Sequence, residues 1–171
     1  MCIRDSFKAG RCGLLVEWGD PGPLQLDDDA TAIKGKLYAI SALGSREVLN
    51  RATGELVPVN NVNAPHAIDG INYAPFAAFG GWAGAVNKGA DQKTKDAAYA
   101  FLSYMNQSAQ SSVDVTIGAT GYNPYRLSQL SSPDLFVKAG MPQALAENYI
   151  GAINGALNSL NMASDMKIPG A

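Results

Sequence analysis

The chain has 171 residues, of which 47% are hydrophobic and 16% charged, with a formal net charge of −2. Those values fit one globular domain able to bury a sizeable core; they exclude an intrinsically disordered chain and, with no apolar run of the roughly 18 residues a membrane helix needs, a membrane-spanning one. The balance of charge leaves no electrostatic footprint for nucleic acid, and a neutral or weakly charged partner is expected.

Residues 1–6, Met-Cys-Ile-Arg-Asp-Ser, resemble translated sequencing-adapter read-through and are set apart as a non-native leader. No charged segment followed by an apolar one opens the sequence, so no signal peptide is expected within it, which says nothing about export. Cys12 opens an apolar run and is expected to be a small buried filler, although Cys2 and Cys12 also allow one disulfide. Residues 11–18 are predicted to form a strand, and Leu14-Leu15-Val16, without alternation, suits burial on both faces of a parallel or mixed sheet. Trp18-Gly19-Asp20-Pro21-Gly22-Pro23 ends it. The end of a buried strand is where open α/β sheets hold ligands. A sugar presents a flat C–H surface and a rim of hydroxyls, for which Trp18 supplies a ring and Asp20 a planar polar group. The competing assignment is a core Trp beside a turn-capping Asp.

Leu26-Asp27-Asp28-Asp29 lacks the alternating oxygen ligands and the glycine of a calcium loop, and is expected to be a solvated acidic loop. Residues 36–42 are predicted as a strand, 45–49 as a short turn or helix, and 53–59 as a turn leading into a short edge strand. Residues 60–75, rich in Asn, Gly and Pro, form the longest loop-like stretch. His66 within it is the sole histidine, so no His-dependent triad or multi-histidine metal site is expected.

That loop leads into Phe79-Gly80-Gly81-Trp82. Adjacent glycines allow a close backbone approach and leave N–H groups facing a ligand, with Trp82 as a ring at the mouth; an ordinary turn beside a core Trp is the alternative. Residues 83–86 are predicted as a short buried strand. Asp91 is a candidate N-cap for a helix over 91–106, with Ala97, Ala98, Phe101, Leu102 and Met105 on one face. Residues 113–117 are apolar enough for a strand or a helix end. In the following loop, Tyr122 and Asn123 combine a ring and an amide suited to a polyol. Arg126 has the fork for a bidentate anion contact, against the commoner fate of surface Arg. Ser132-Pro133 predicts a helix running to Gly140, and Pro142 opens another, to about 160, with Leu145, Tyr149, Ile153, Ala156, Leu157 and Leu160 on its apolar face and Gly151 and Gly155 weakening it.

Three stretches, in this order, resemble the family 1 extracellular solute-binding proteins of ABC importers, the group that includes maltose-binding protein. They are Phe7-Lys8-Ala9-Gly10-Arg11-Cys12-Gly13-Leu14-Leu15-Val16-Glu17-Trp18-Gly19, the Gly80-Gly81-Trp82 stretch with the strand and helix after it, and Gly121-Tyr122-Asn123-Pro124. The resemblance spans residues 7–171. It implies an α/β, periplasmic-binding-protein-like (type II) two-lobe fold, present as a C-terminal portion: 7–75 in the C-terminal lobe and hinge crossing, 76–125 in the N-terminal lobe, 126–171 returning to the C-terminal lobe. Residues 7–70 and 126–171 are then expected to pack together, with 80–122 partly apart. The implied function is non-catalytic: capture of a carbohydrate or similar polyol in the interlobe cleft and delivery to the transmembrane subunits of an ABC permease, in the periplasm or outside the cell. The full-length protein is expected to be a monomer needing no cofactor or metal, with ATP hydrolysed by a separate subunit. The candidate ligand-binding residues are Trp18, Asp20, Gly80, Gly81, Trp82, Tyr122, Asn123 and Arg126.

The rival function is a carbohydrate-active hydrolase or lyase, whose clefts are also lined by rings and carboxylates. Against it, Gly-x-Ser-x-Gly, His-Glu-x-x-His, Cys-x-x-Cys and phosphate-loop motifs are absent from the sequence. Glu17 and Asp20, three apart at a strand end, point to opposite faces and make a poor acid/base pair. A third reading is a structural α/β domain with both Trp side chains buried.

Overall fold

In the computed structural model, which describes residues 4–19, 21–26, 32–75 and 83–162, helices form close to where the capping residues place them, at 92–105, 134–138 and 143–157, and also at 4–8, 108–114 and 127–130. The chain divides into two units, 1–39 with 82–150 and 40–81 with 151–171. Residues 7–39 thus share a unit with 82–125, where the sequence grouped them with 40–70.

The first unit holds α1 (Arg4–Lys8), a 3-10 turn (Gly22–Leu26), α2 (Gln92–Met105), α3 (Ser108–Asp114), a second 3-10 turn (Gly118–Thr120), α4 (Leu127–Leu130), α5 (Asp134–Lys138) and the start of α6 (Gln143–Leu157). Helix α2 starts as predicted, because the Asp91 carboxylate accepts hydrogen bonds from the Thr94 N–H at 3.0 Å and the Thr94 hydroxyl at 2.6 Å. Ahead of α5 the Ser132 hydroxyl accepts from the Asp134 N–H at 3.2 Å, and the chain leaves that helix through Gly140, whose φ of 105° excludes most side chains. The core is the inner face of α5 and α6: Phe136, Met141, Leu145, Ala146, Tyr149 and Ile150 are buried, together with Val115 after α3. Phe136 and Tyr149 meet edge to face with centroids 5.1 Å apart. Tyr149 also lies against Gly22, where a Cβ would stand 2.3 Å from the ring. Leu24 and Ile33 make a second cluster, with Phe7 packed on it.

Helix α2 differs in having no buried residue; Tyr99 and Phe101 are 70% and 62% exposed. Its cap and its own backbone bonds define it more than burial does.

The three strands expected at 11–18, 36–42 and 83–86 do not form. Leu14 and Val16 are 61% and 80% exposed, the opposite of strands buried on both faces. A strand exists only with a neighbour to complete its ladder, and an apolar run does not supply one. Within 36–42 the backbone is partly satisfied by a side chain instead: Ala39 N–H donates to Asn148 Oδ1 at 2.7 Å and Asn148 Nδ2 donates back to the Ala39 carbonyl at 3.0 Å. Cys12 is disulfide-bonded and half-buried, which corrects its assignment as a buried filler thiol. Cys2, the other cysteine, lies outside the described residues, as do Asp27, Asp28 and Asp29.

The second unit is built from hairpins. Strands β1 (Gly44–Ser45) and β4 (Asn72–Tyr73) pair antiparallel, as do β2 (Glu47–Leu49) and β3 (Leu56–Pro58), with Val48 opposite Val57. The stretch 45–49, expected as a turn or helix, is therefore strand, while the edge strand near 56–58 is as predicted. Between Ile68 and Ile71, which exchange backbone bonds of 3.0 and 2.9 Å, Asp69 and Gly70 both have positive φ, 51° and 71°, the geometry of a type I′ turn. Among the described residues no helix is long and apolar enough to cross a membrane.

Two outcomes follow. Hydrogen bonds from Thr94 hold the Asp91 carboxyl below its ordinary pKa. A lowered folded-state pKa contributes stability that is full above the unfolded value and is lost as the pH falls through the folded one. Circular dichroism should therefore show helix content falling in acid for the wild type, and a lower content at neutral pH for Asp91→Ala; identical spectra and acid titrations would refute the cap. Gly22→Ala drives a methyl into the buried Tyr149 ring and should lower stability by about 1–3 kcal/mol in urea unfolding.

Candidate functional site

Trp18 precedes, and Tyr122 and Asn123 follow, two 3-10 turns of the first unit that lie in contact. Trp18 is 48% exposed, and the chain after it enters the turn Gly22–Leu26, whose residues are buried up to Gln25. That turn lies against the second 3-10 turn, Gly118–Thr120, which delivers Tyr122 and Asn123. Gly121, with φ of 70°, lets the chain reverse there. The Thr120 hydroxyl, 2.8 Å from the Asp114 carbonyl, also accepts from the Tyr122 N–H at 3.3 Å. Tyr122 is half-buried, Asn123 is exposed and Pro124 is buried. The ring and amide proposed for a polyol therefore stand on a loop anchored at both ends.

Arg126 is placed differently from its expected use as an anion clamp. Its Nε donates to Ser111 Oγ at 3.0 Å, an Nη donates to the Asn106 carbonyl, and its guanidinium lies over the Tyr125 ring, 5.5 Å from the centroid. Buried Gln129 completes the arrangement. Its Oε1 accepts from the N–H groups of Tyr125 and Arg126 at 3.0 and 3.1 Å, and its Nε2 donates to Ser111 Oγ at 3.3 Å. The guanidinium thus joins the end of α2 and the middle of α3 to the start of α4, and its ordering role is what the geometry displays. Sequence reasoning missed Gln129; the only signal is its position three residues after Arg126, as in a capping box.

Asp20, Gly80, Gly81 and Trp82 lie outside the described residues. One polar atom near the two turns is unsatisfied: Gln25 is 2% exposed, its Nε2 donates to the Gly22 carbonyl at 3.3 Å, and its Oε1 has no hydrogen-bond partner among the described residues. Among those residues, no group of three or more His, Cys, Asp or Glu side chains comes together.

The second unit contains a separate feature, a groove of about 910 Å³ formed by residues 40–44, by the hairpin stretch 66–75 and by the end of α6 with 158–161. Asn161 ties its sides together, donating from Nδ2 to the Tyr73 carbonyl at 2.9 Å and to Asn72 Oδ1. Gly44 is required here, because a Cβ would stand 2.3 Å from Ile71 and 2.7 Å from the Tyr73 ring. The Asp69-Gly70 pair between two isoleucines was the signal that could have revealed this hairpin inside what the sequence suggested was a long loop.

Compared with protein families, with curated proteins and with solved structures, the chain matches none.

Gln129→Ala removes the acceptor of two main-chain N–H groups and one partner of Ser111. Urea unfolding should show a loss of about 2 kcal/mol. Gln129→Glu, which keeps the acceptor, should lose less; equal losses would deny the carbonyl oxygen this role.

Proposed function

We propose that the chain is part of a solute-binding protein that captures a carbohydrate or similar polyol and delivers it to the transmembrane subunits of an ABC permease, in the periplasm or at the cell exterior. The observation that supports this is the contact between the turn following Trp18 and the turn leading to Tyr122 and Asn123. Two stretches about a hundred residues apart, each chosen for a ring beside a hydrogen-bonding group, share one unit. In the type II two-lobe fold that the resemblance implies, Trp18 belongs to the C-terminal-lobe wall of a cleft, and Gly80, Gly81, Trp82, Tyr122 and Asn123 to its N-terminal-lobe wall. The order of the three sequence stretches is the second support.

The mechanism is capture without bond making or breaking. A ring stacks on the sugar's C–H face, while Asn123 and Asp20 exchange hydrogen bonds with its hydroxyls. A ligand that touches both lobes favours the closed state by the difference in its contacts with the two states, and the closed surface is what the permease receives. Arg126 then acts by ordering the loop that carries Tyr122, through Ser111 and Asn106, without touching the ligand.

A panel of neutral mono- and disaccharides titrated against Trp fluorescence tests the proposal. One of them should shift the emission saturably, and Trp18→Ala or Tyr122→Ala should each weaken binding tenfold or more, as for an aromatic anchor. Absence of any saturable sugar response in a folded protein, or full affinity in both variants, would refute it.

A further inference from the structure

We propose that the groove of the second unit is a binding site for a neutral amphiphilic small molecule: an apolar body with one uncharged hydrogen-bonding end. None of its described lining residues is among the candidate carbohydrate-binding residues. Leu43, Ile68 and Leu160 all face it, yet are 65%, 63% and 82% exposed, and the Tyr73 ring adds a flat surface. So many large apolar groups converging on one recess offer contact area that water leaves unused. At about 910 Å³ the recess is within the range of roughly 300–1,000 Å³ typical of small-molecule pockets.

The lining also sets the charge of the occupant. Among the described residues it contains no Lys, Arg, Asp or Glu. An ionic ligand would lose hydration against aliphatic carbon and find no counter-charge, which is prohibitive for a buried ion. A pure hydrocarbon would in turn strip water from His66 and Asn158, which offer an imidazole and an amide at the same recess. A molecule with an apolar body and a neutral polar end satisfies both. The walls are positioned by the type I′ turn at Asp69-Gly70 and by the Asn161 side-chain amide, which ties 161 to the Tyr73 carbonyl.

The test uses the whole chain and two dyes that share one aromatic skeleton. N-phenyl-1-naphthylamine is neutral with a single N–H; 1-anilinonaphthalene-8-sulfonate carries a negative charge. The neutral dye should bind saturably, one per chain, at least tenfold more tightly than the anionic one. Leu43→Glu and Leu160→Glu both change exposed side chains, so circular dichroism should be unaltered, and each should reduce affinity for the neutral dye tenfold or more. Leu127→Glu, equally exposed but on the first unit, should leave it unchanged. The proposal is overturned if the two groove variants bind the neutral dye like the wild type, if Leu127→Glu weakens it as much, or if the anionic dye binds equally well. It is also overturned if sedimentation shows a wild-type dimer that both groove variants dissociate, because a second copy would then be the occupant.

Discussion

The ring of Tyr149 is the piece on which the first unit depends. It projects from α6 into contact with Phe136 of α5 on one side and Gly22 on another, so that a helix pair and a distant turn are fastened by one side chain. The glycine is what permits it, because any Cβ at 22 would occupy the space of the ring. With that turn held, its neighbour Gly118–Thr120 acquires a surface to rest on, and the loop bearing Tyr122 and Asn123 acquires a position. Burial of one aromatic thus reaches the candidate site through two short turns that have little stability of their own.

Polar fastening takes over where burial ends. Arg126 and Gln129 hold α2 and α4 through main-chain groups and α3 through the Ser111 hydroxyl, and Asn148 binds the main chain of Ala39. In each case a side-chain amide or guanidinium supplies the partner that a longer helix or a sheet would have supplied. The cost of leaving such groups unpaired explains why Gln129 is buried although it is polar. Helix α2 shows the converse, an amphipathic sequence with a good cap whose apolar residues Phe101 and Tyr99 remain in contact with solvent.

Among its described residues, the second unit relies on turns more than on buried side chains. Its strands are two or three residues long, and what gives it shape is the type I′ reversal at Asp69-Gly70, the hairpin through Gly54 and the amide of Asn161. Short strands with few buried side chains leave aliphatic groups at the surface, and their convergence makes a recess where a compact sheet would have made a wall.

What the sequence alone determined is local. Asp91, Ser132, Gly140 and Pro142 each act within one turn of backbone, and α2, α5 and α6 begin and end close to where those residues place them. The loop bearing Tyr122 and Asn123 was likewise legible, whereas Trp18, expected at the end of a strand, ends none. Apart from the edge strand near 56–58, strands were not legible: Leu14-Leu15-Val16 and residues 36–42 have strand composition, but a ladder is a property of two segments, and at Ala39 its place is taken by Asn148. The same physics decided the rest. Only the tertiary structure could commit the Arg126 guanidinium to Ser111 and Asn106, bring Gly22 under Tyr149, or gather Leu43, Ile68 and Leu160 around one groove, because each depends on atoms from parts of the chain that no local pattern connects.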